Sequence, residues 1–264
     1  MIWVNNHPCD ACGATDTVGI GSGSPTQADL ADGADRVELY SCQQCKTVTR
    51  FPRFNNVLRL MKTRKGRCGE WANLFTLFSC AMGYETRYVM DFTDHVWCEF
   101  YSETYGRWVN VDPSEGSGSI DQPLMYEAGW GKKLTYIFAI GEYEVVDVFR
   151  RYTRDVPAML KRRNLAREII ISQLTSDITQ SLRRTLPASL VQSLRERDTK
   201  ELEELLNPPA RPLRQSETMG RKSGNLDWRT ARGETGSIFS ASNARSVPQL
   251  SELTYTKVRK LNVK

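Results

Sequence analysis

Arg64-Lys-Gly-Arg-Cys68-Gly-Glu70 runs directly into Trp71-Ala-Asn-Leu-Phe-Thr-Leu-Phe-Ser-Cys80-Ala-Met82. The second stretch is an apolar helical run, and Gly83 ends it. Cys68 therefore sits where a helix begins, just behind three cations. Free N–H groups at a helix start and nearby positive charge both stabilise a thiolate. An activated nucleophile needs that environment. Cys80, inside the helix, and Cys98, in a strand-like stretch, read as small buried hydrophobes.

The chain has two histidines, so an imidazole base for Cys68 points to His95. His95 opens a strand that runs to Ser102. Glu103 to Gly106 form a four-residue connection, and a second strand runs from Arg107 to Asp112 before Pro113. The pattern predicts a hairpin. Pairing Ser102 with Arg107 puts Trp97 opposite Asp112, with His95 one step along on the same face. A carboxylate placed there holds the imidazole tautomer and stabilises its protonated form. Val96, Cys98, Phe100, Val109 and Val111 form the other face, which reads as core.

Four of the seven cysteines form two CxxC pairs, Cys9 with Cys12 and Cys42 with Cys45, separated by 29 residues. Two such knuckles complete a closed tetrahedral site, so the four predict one structural zinc ion. Gly19 to Pro25 lies within the spacer and reads as a flexible loop. The alternative is a pair of disulfides, which the lack of a secretory signal disfavours. His7, beside Cys9, is not needed as a ligand and reads as a surface or supporting residue.

Composition sets the outer limits. The 264 residues are 40% hydrophobic and 25% charged, with a mean hydropathy of −0.48. That excludes a wholly disordered chain, a collagen-like repeat and a coiled coil. No apolar run approaches the ~20 residues that span a bilayer. Met1 to Asp10 lacks the features of a signal peptide, so the expected compartment is the cytosol or nucleus.

Charge is uneven. Residues 1–149 carry 13 Lys and Arg against 19 Asp and Glu, and residues 150–264 carry 23 against 12, net −6 and net +11. The basic half reads as a solvated helical surface and linker, or as a docking surface for an acidic protein. Nucleic acid is the weaker partner, because the basic residues are not interleaved with aromatics. Helical periodicity runs through 158–206, broken at Pro187. From Pro208 onward Pro, Arg, Ser and Gly dominate, which predicts a largely disordered tail with a short ordered element at Leu226-Asp-Trp228. The expected divisions are a zinc-binding lobe (1–60), a catalytic core (61–155), a helical segment (156–207) and the basic tail (208–264).

Gly66-Arg-Cys68-Gly-Glu-Trp-Ala-Asn73, Asp91-Phe-Thr-Asp-His95-Val-Trp97 and Asp112 resemble the cytosolic peptide:N-glycanases, a family of transglutaminase-like cysteine hydrolases. Arg50-Phe-Pro-Arg-Phe-Asn55, Tyr126-Glu-Ala-Gly-Trp-Gly-Lys-Lys133 and the two knuckles extend the resemblance over residues 1–155, with wording nearest to plant members. The resemblance implies an α+β fold: a papain-like core with a four-cysteine zinc lobe and C-terminal helices. It implies a Cys68, His95, Asp112 triad that hydrolyses the amide between asparagine and the first N-acetylglucosamine of an N-glycan. The implied substrates are misfolded glycoproteins in ER-associated degradation. The implied partners are a ubiquitin-receptor shuttle and proteasome-linked machinery, and the implied state is a monomer without a redox cofactor or nucleotide.

Sugar recognition needs aromatic faces and hydrogen-bonding charges near the triad. Trp97, Trp108 and Glu99 share the His95 face, and Arg87 and Trp3 match positions that the family associates with the cleft. All five are candidate sugar contacts. A transglutaminase or protease on the same scaffold, and a non-catalytic binding module like the DNA-repair relatives, are the alternatives.

Overall fold

The computed structural model describes residues 1–208 and 211–236. The edge strand β1 (Ile2–Trp3) precedes a three-stranded antiparallel sheet of β2 (Thr17–Gly23), β3 (Val37–Cys42) and β4 (Val48–Pro52), in the order β2-β3-β4. Most of the glycine-rich stretch predicted to be a loop is therefore strand. It bulges between Gly19 and Gly21 and so bends without leaving its pairing with β3. Helix α1 (Gln27–Ala31) starts with a capping box. The Asp29 N–H donates to Thr26 Oγ1 at 3.1 Å, and the Thr26 N–H donates to the Asp29 carboxylate at 2.8 Å.

Cys9 and Cys12 meet Cys42 and Cys45 at the end of this lobe. Their four sulfurs all lie within 4.8 Å of one another, an arrangement that can hold one metal ion. Cys9 and Cys42 are buried, and Cys12 and Cys45 are exposed. His7 is not on the surface. It is buried against Phe51, and its Nε2 lies 2.9 Å from Lys65 Nζ.

Helix α2 (Val57–Thr63) is capped by Asn56, whose Oδ1 accepts from the N–H groups of Leu58 and Arg59. Strand β5 (Lys65–Gly66) pairs with β1 in parallel, and helix α3 (Cys68–Ala81) follows. Only glycine fits at position 66, because a Cβ there would lie 2.4 Å from the Glu70 Cβ.

The central sheet contains β6 (Thr86–Asp91), β7 (His95–Ser102), β8 (Arg107–Val111), β9 (Ile137–Ile140) and β10 (Val145–Asp147). It is antiparallel, in the order β10-β9-β6-β7-β8. The hairpin has the predicted register, with Ser102 opposite Arg107, Tyr101 opposite Trp108 and Cys98 opposite Val111. Helix α3 packs on one face, with Ala72 and Phe75 against Val96, Cys98, Phe100 and Val111.

The other face is covered as well. The π-helical turn Met125–Gly129, the 3-10 turn Phe149–Tyr152 and helix α4 (Val156–Arg162) bring Tyr126, Trp130, Tyr152 and Met159 against Val89, Trp97, Ile137 and Ala139. Helix α5 (Glu168–Arg183) is pinned to β10 through Thr179 Oγ1, which accepts from the Val145 N–H at 3.0 Å. Helix α6 (Ala188–Leu206) begins immediately after Pro187, at the predicted break.

The charge asymmetry is largely internal complementarity. Arginines of the basic half pair with carboxylates of the acidic half: Arg151 with Glu99, Arg197 with Glu85, Arg214 with Asp121 and Arg232 with Asp94. Residues 211–236 are correspondingly ordered, which corrects the disordered-tail expectation there. They form a 3-10 turn at Gln215–Thr218 and helix α7 (Leu226–Ala231), and they fold back on the π-helical turn. Gly129 is the contact point, since a Cβ on it would lie 2.2 Å from the Met219 carbonyl oxygen. Residues 209, 210 and 237–264 of the predicted tail lie outside the described residues.

Glu201 of α6 reaches under the sheet to Arg87 (2.6 and 2.9 Å) and Arg151 (2.7 Å). Burial pushes the Glu201 carboxyl up, but the two guanidinium groups overrule it and hold it at about 2. A folded-state value below the usual glutamate range (about 4.3) adds stability above that range, and the contribution is lost as pH falls toward 2. Glu201→Gln leaves two buried cations short of a carboxylate and should cost about 3–5 kcal/mol at pH 7. Urea unfolding should show that gap at pH 7 and a smaller one at pH 3. Equal midpoints for the two proteins at pH 7 would contradict the role of Glu201.

Candidate active site

Cys68 is the first residue of α3, so its backbone N–H has no partner within the helix. Two clamps fix its position. Glu70 accepts from Arg53 at 2.5 and 2.7 Å and from the Arg67 N–H at 2.9 Å. Arg67 in turn donates to Glu38 of β3 at 2.7 and 2.9 Å and to the Val4 carbonyl at 2.8 Å. The four-cysteine lobe thus holds both residues that flank the turn into the helix. Arginines 53 and 67 overrule the burial of Glu38 and hold its carboxyl at about 2.

These clamps change the source of charge at Cys68. Of the three preceding cations, Arg67 is engaged by Glu38, Lys65 faces His7, and Arg64 donates to the Met61 carbonyl. Burial pushes the Cys68 thiol above its ordinary value. The cations that oppose this are Arg221, from the C-terminal segment, and Arg53. Asp94 and Glu70 reinforce the burial.

His95 follows a tight turn. Asp91 accepts from the Thr93 N–H (2.9 Å) and hydroxyl (2.5 Å), and Asp94 adopts a left-handed φ of 68°. Aspartate tolerates that conformation better than most residues. The His95 Nε2 lies 2.6 Å from Asp112 Oδ2, as the hairpin register predicts. Asp112 is buried, and Ser114 donates to its Oδ1 from both N–H (3.0 Å) and hydroxyl (2.6 Å). Burial pushes the Asp112 carboxyl up to about 6, against the opposing pull of Ser114 and Arg221. His95 is held well below its ordinary value, first by burial and then by Arg221 and Lys132. The buried His95 imidazole therefore faces the Asp112 carboxylate through Nε2. The ring sits among Trp130, Tyr126 and Trp97, with centroids at 4.9, 5.6 and 5.7 Å.

The five candidate sugar contacts divide. Arg87 and Glu99 are completely buried, Trp97 is 0% exposed and Trp108 2%. Glu99 accepts from Arg87 and from the Tyr152 hydroxyl, both at 2.5 Å. Trp108 stacks under the Arg87 guanidinium at 3.7 Å. Trp97 donates to the Tyr152 hydroxyl at 2.8 Å and stacks on Tyr126. These four form the core beneath α6 and the aromatic turn, so none presents a face to a ligand. Trp3 differs: it is half-buried, lines a cleft with Val4, Asn5, Pro8 and Asn225, and meets Trp228 edge-on at 6.0 Å.

Arg221 and Glu234 lie in the stretch whose composition predicts disorder, and Glu115 stands out only through its contacts, whereas Trp228 falls in the short element expected at Leu226-Asp-Trp228, which is helical. An apolar cleft of about 690 Å³ lies across the sheet from His95, between Trp71, Phe75 and Phe78 of α3 and Val111 and Pro113. Its walls include neither Cys68 nor His95.

Comparison with known proteins matches residues 20–113, which include Cys68, His95 and Asp112, to the transglutaminase-like superfamily. Residues 86–206 match the Rad4 transglutaminase-like domain. The chain is 45% identical over 249 residues to a peptide-N(4)-(N-acetyl-beta-glucosaminyl)asparagine amidase of Arabidopsis thaliana, covering 92% of this chain and 34% of the relative. It is 44% identical over 262 residues to the protein of the same name from Gallus gallus, covering 97% and 40%. The chain thus spans about a third to two-fifths of the length of these relatives. A structure of Rad4–Rad23 bound to a 6-4 photoproduct lesion is similar at a TM-score of 0.44 and 16% identity, over 62% of this chain and 39% of that one. By its sequence relatives, the chain belongs to the peptide:N-glycanase family of the transglutaminase-like superfamily.

Proposed function

We propose that this protein is an amidase that cleaves the asparagine–N-acetylglucosamine bond of N-glycoproteins, with Cys68 as nucleophile, His95 as acid and base and Asp112 as its orienting carboxylate. The observation that carries this reading is the 2.6 Å His95–Asp112 contact, in a chain with such relatives whose Cys68 opens a helix. Relatives of that name support the substrate class, and misfolded glycoproteins in ER-associated degradation are its proposed source. A ubiquitin-receptor shuttle remains the proposed partner. The cytosol, or the nucleus, is the proposed compartment.

The chemistry is acyl transfer. As the Cys68 sulfur bonds to the side-chain carbonyl carbon, its proton passes to His95, and Asp112 steadies the imidazolium through Nε2. N–H groups at the start of α3 face the developing oxyanion. The C–N bond breaks as His95 returns the proton to the leaving glycosylamine. Water then attacks the thioester, giving its proton to His95, and the C–S bond breaks. The peptide retains an aspartate, and the glycosylamine loses ammonia in water.

A purified chain should convert the glycosylated asparagine of a denatured high-mannose glycopeptide to aspartate and release the intact glycan, read by mass spectrometry. Cys68→Ala should give no product. Transfer to an amine or peptide cleavage, with no glycan released, would replace the amidase reading. The rate should fall about tenfold per pH unit below about 6, where Asp112 takes up a proton and no longer accepts from His95. Asp112→Asn should remove that acid limb and lower kcat on the order of 10⁴-fold.

The proposed metal is one zinc ion per chain, and the donor set fits it. Four thiols converge within 4.8 Å. Four thiolates close a tetrahedral site and leave no position for substrate, so zinc would act structurally there. Metal analysis should find one zinc per chain in the wild type and almost none in Cys12→Ser, with a lower unfolding temperature in the variant. A metal-free wild type as stable as Cys12→Ser would exclude the zinc reading.

A further inference from the structure

Arg221 belongs to a segment that the sequence assigns to a tail, yet it is one of the most buried cations in the protein. It is 1% exposed. Its Nη2 lies 3.3 Å from His95 Nδ1, the nitrogen left free by the contact to Asp112. Its guanidinium lies over Trp130 and Trp228, both at 4.6 Å, and Trp3 at 5.4 Å. Glu234 accepts from Nη1 at 2.8 Å, Ser223 Oγ accepts from Nε at 2.9 Å, and Glu115 lies 3.9 Å away. The backbone around it is equally constrained. The Arg221 N–H donates to the Glu234 carbonyl at 2.9 Å, and Met219 is bridged to Gly236. A Cβ on Gly220 would lie 2.3 Å from the Thr235 carbonyl oxygen.

A buried guanidinium held on three aromatic faces is far more ordered than structural support of a surface loop requires. It also cannot lose its proton, so its charge at the site is permanent. We propose that Arg221 is a positioning residue of the Cys68–His95–Asp112 site: its guanidinium holds His95 with the proton on Nε2 and adds a fixed positive charge to the site. Arg221 also exerts the largest favourable field on the Cys68 sulfur. In many cysteine hydrolases the imidazolium supplies that charge. Here a cation from outside the triad contacts His95 as well.

This inference rests on Cys68 being the nucleophile but not on the identity of the substrate. The charged and titratable groups that act on Cys68 are Arg221, Asp94, Arg53, Glu70 and Tyr88. Those on His95 are Asp112, Arg221, Lys132, Glu234 and Asp91. Arg221 acts on both sets.

The test is the pH dependence of Cys68 alkylation by iodoacetamide in the metal-loaded protein, followed by mass spectrometry of the peptide that contains Cys68. The S–C bond forms as iodide leaves, so the rate follows the thiolate fraction and no glycopeptide is needed. Arg221→Gln should raise the alkylation midpoint by about one pH unit, roughly tenfold in rate at pH 7. Arg221→Lys should restore most of that loss, which a purely structural role would not require. Glu234→Gln keeps the guanidinium but removes its carboxylate, so it should move the midpoint the other way, to lower pH. It also serves as the decisive variant if Arg221→Gln does not fold. Unchanged midpoints in folded Arg221→Gln, or no downward shift in Glu234→Gln, would overturn the proposal. If the shifts occur in a protein that releases no glycan, Arg221 keeps this role and the amidase reading falls.

Discussion

Glu99 stands in the middle of β7, completely buried, with a hydrophobic core on one side of the sheet and a helix on the other. A lone carboxylate in such a place would protonate or unfold the strand. It stays charged because Arg87 and Arg151 reach it, and they hold its carboxyl below the usual range against the effect of burial. Two cations against one carboxylate require a second, and α6 provides it as Glu201. The arrangement of the rest follows. Helix α6 must dock under the sheet, Arg183 must tie α5 to Glu144, and Tyr152 must turn inward to donate to Glu99. A buried quartet of this kind adds little net stability over an apolar core, but it strongly penalises any packing in which one member is missing.

That constraint explains which parts of the site were legible. The local features came through: the helix start at Cys68, the hairpin from His95 to Ser102 and back, and the register that joins His95 to Asp112. Each depends on residues a few positions apart, and period-two alternation fixes the side-chain faces. The same alternation marks Trp97, Glu99 and Trp108 as polar or aromatic side chains on the His95 face, which suits an open cleft. What covers that face comes from later in the chain: Tyr126 and Tyr152 pack on Trp97, and α6, which shows only a common amphipathic pattern, supplies Glu201. Charge composition held part of the answer, since −6 and +11 halves are complementary, but composition cannot distinguish an internal partner from an external one. The segment 211–236 was hidden for a related reason. Its few apolar side chains bury little by themselves, and its order depends on arginines that bind carboxylates and tryptophans elsewhere.

The site itself shows how position and charge are separated in this fold. Arg67, the residue next to Cys68, is engaged elsewhere. It is locked to Glu38 and to the backbone of residues 4 and 5, and so carries the rigidity of the metal lobe to the first turn of α3. The cation that acts most strongly on the sulfur arrives from 153 residues away, on a segment held by its own contacts. A fold that used one residue for both tasks would couple them: loosening the clamp would also change the thiol. With Arg67 on position and Arg221 on charge, the geometry of α3 can be strict while the ionisation of Cys68 is set independently. The consequence is that the catalytic core does not end with the sheet. Without residues 211–236, Cys68 would keep its place at the helix start and lose the main charge that opposes its burial.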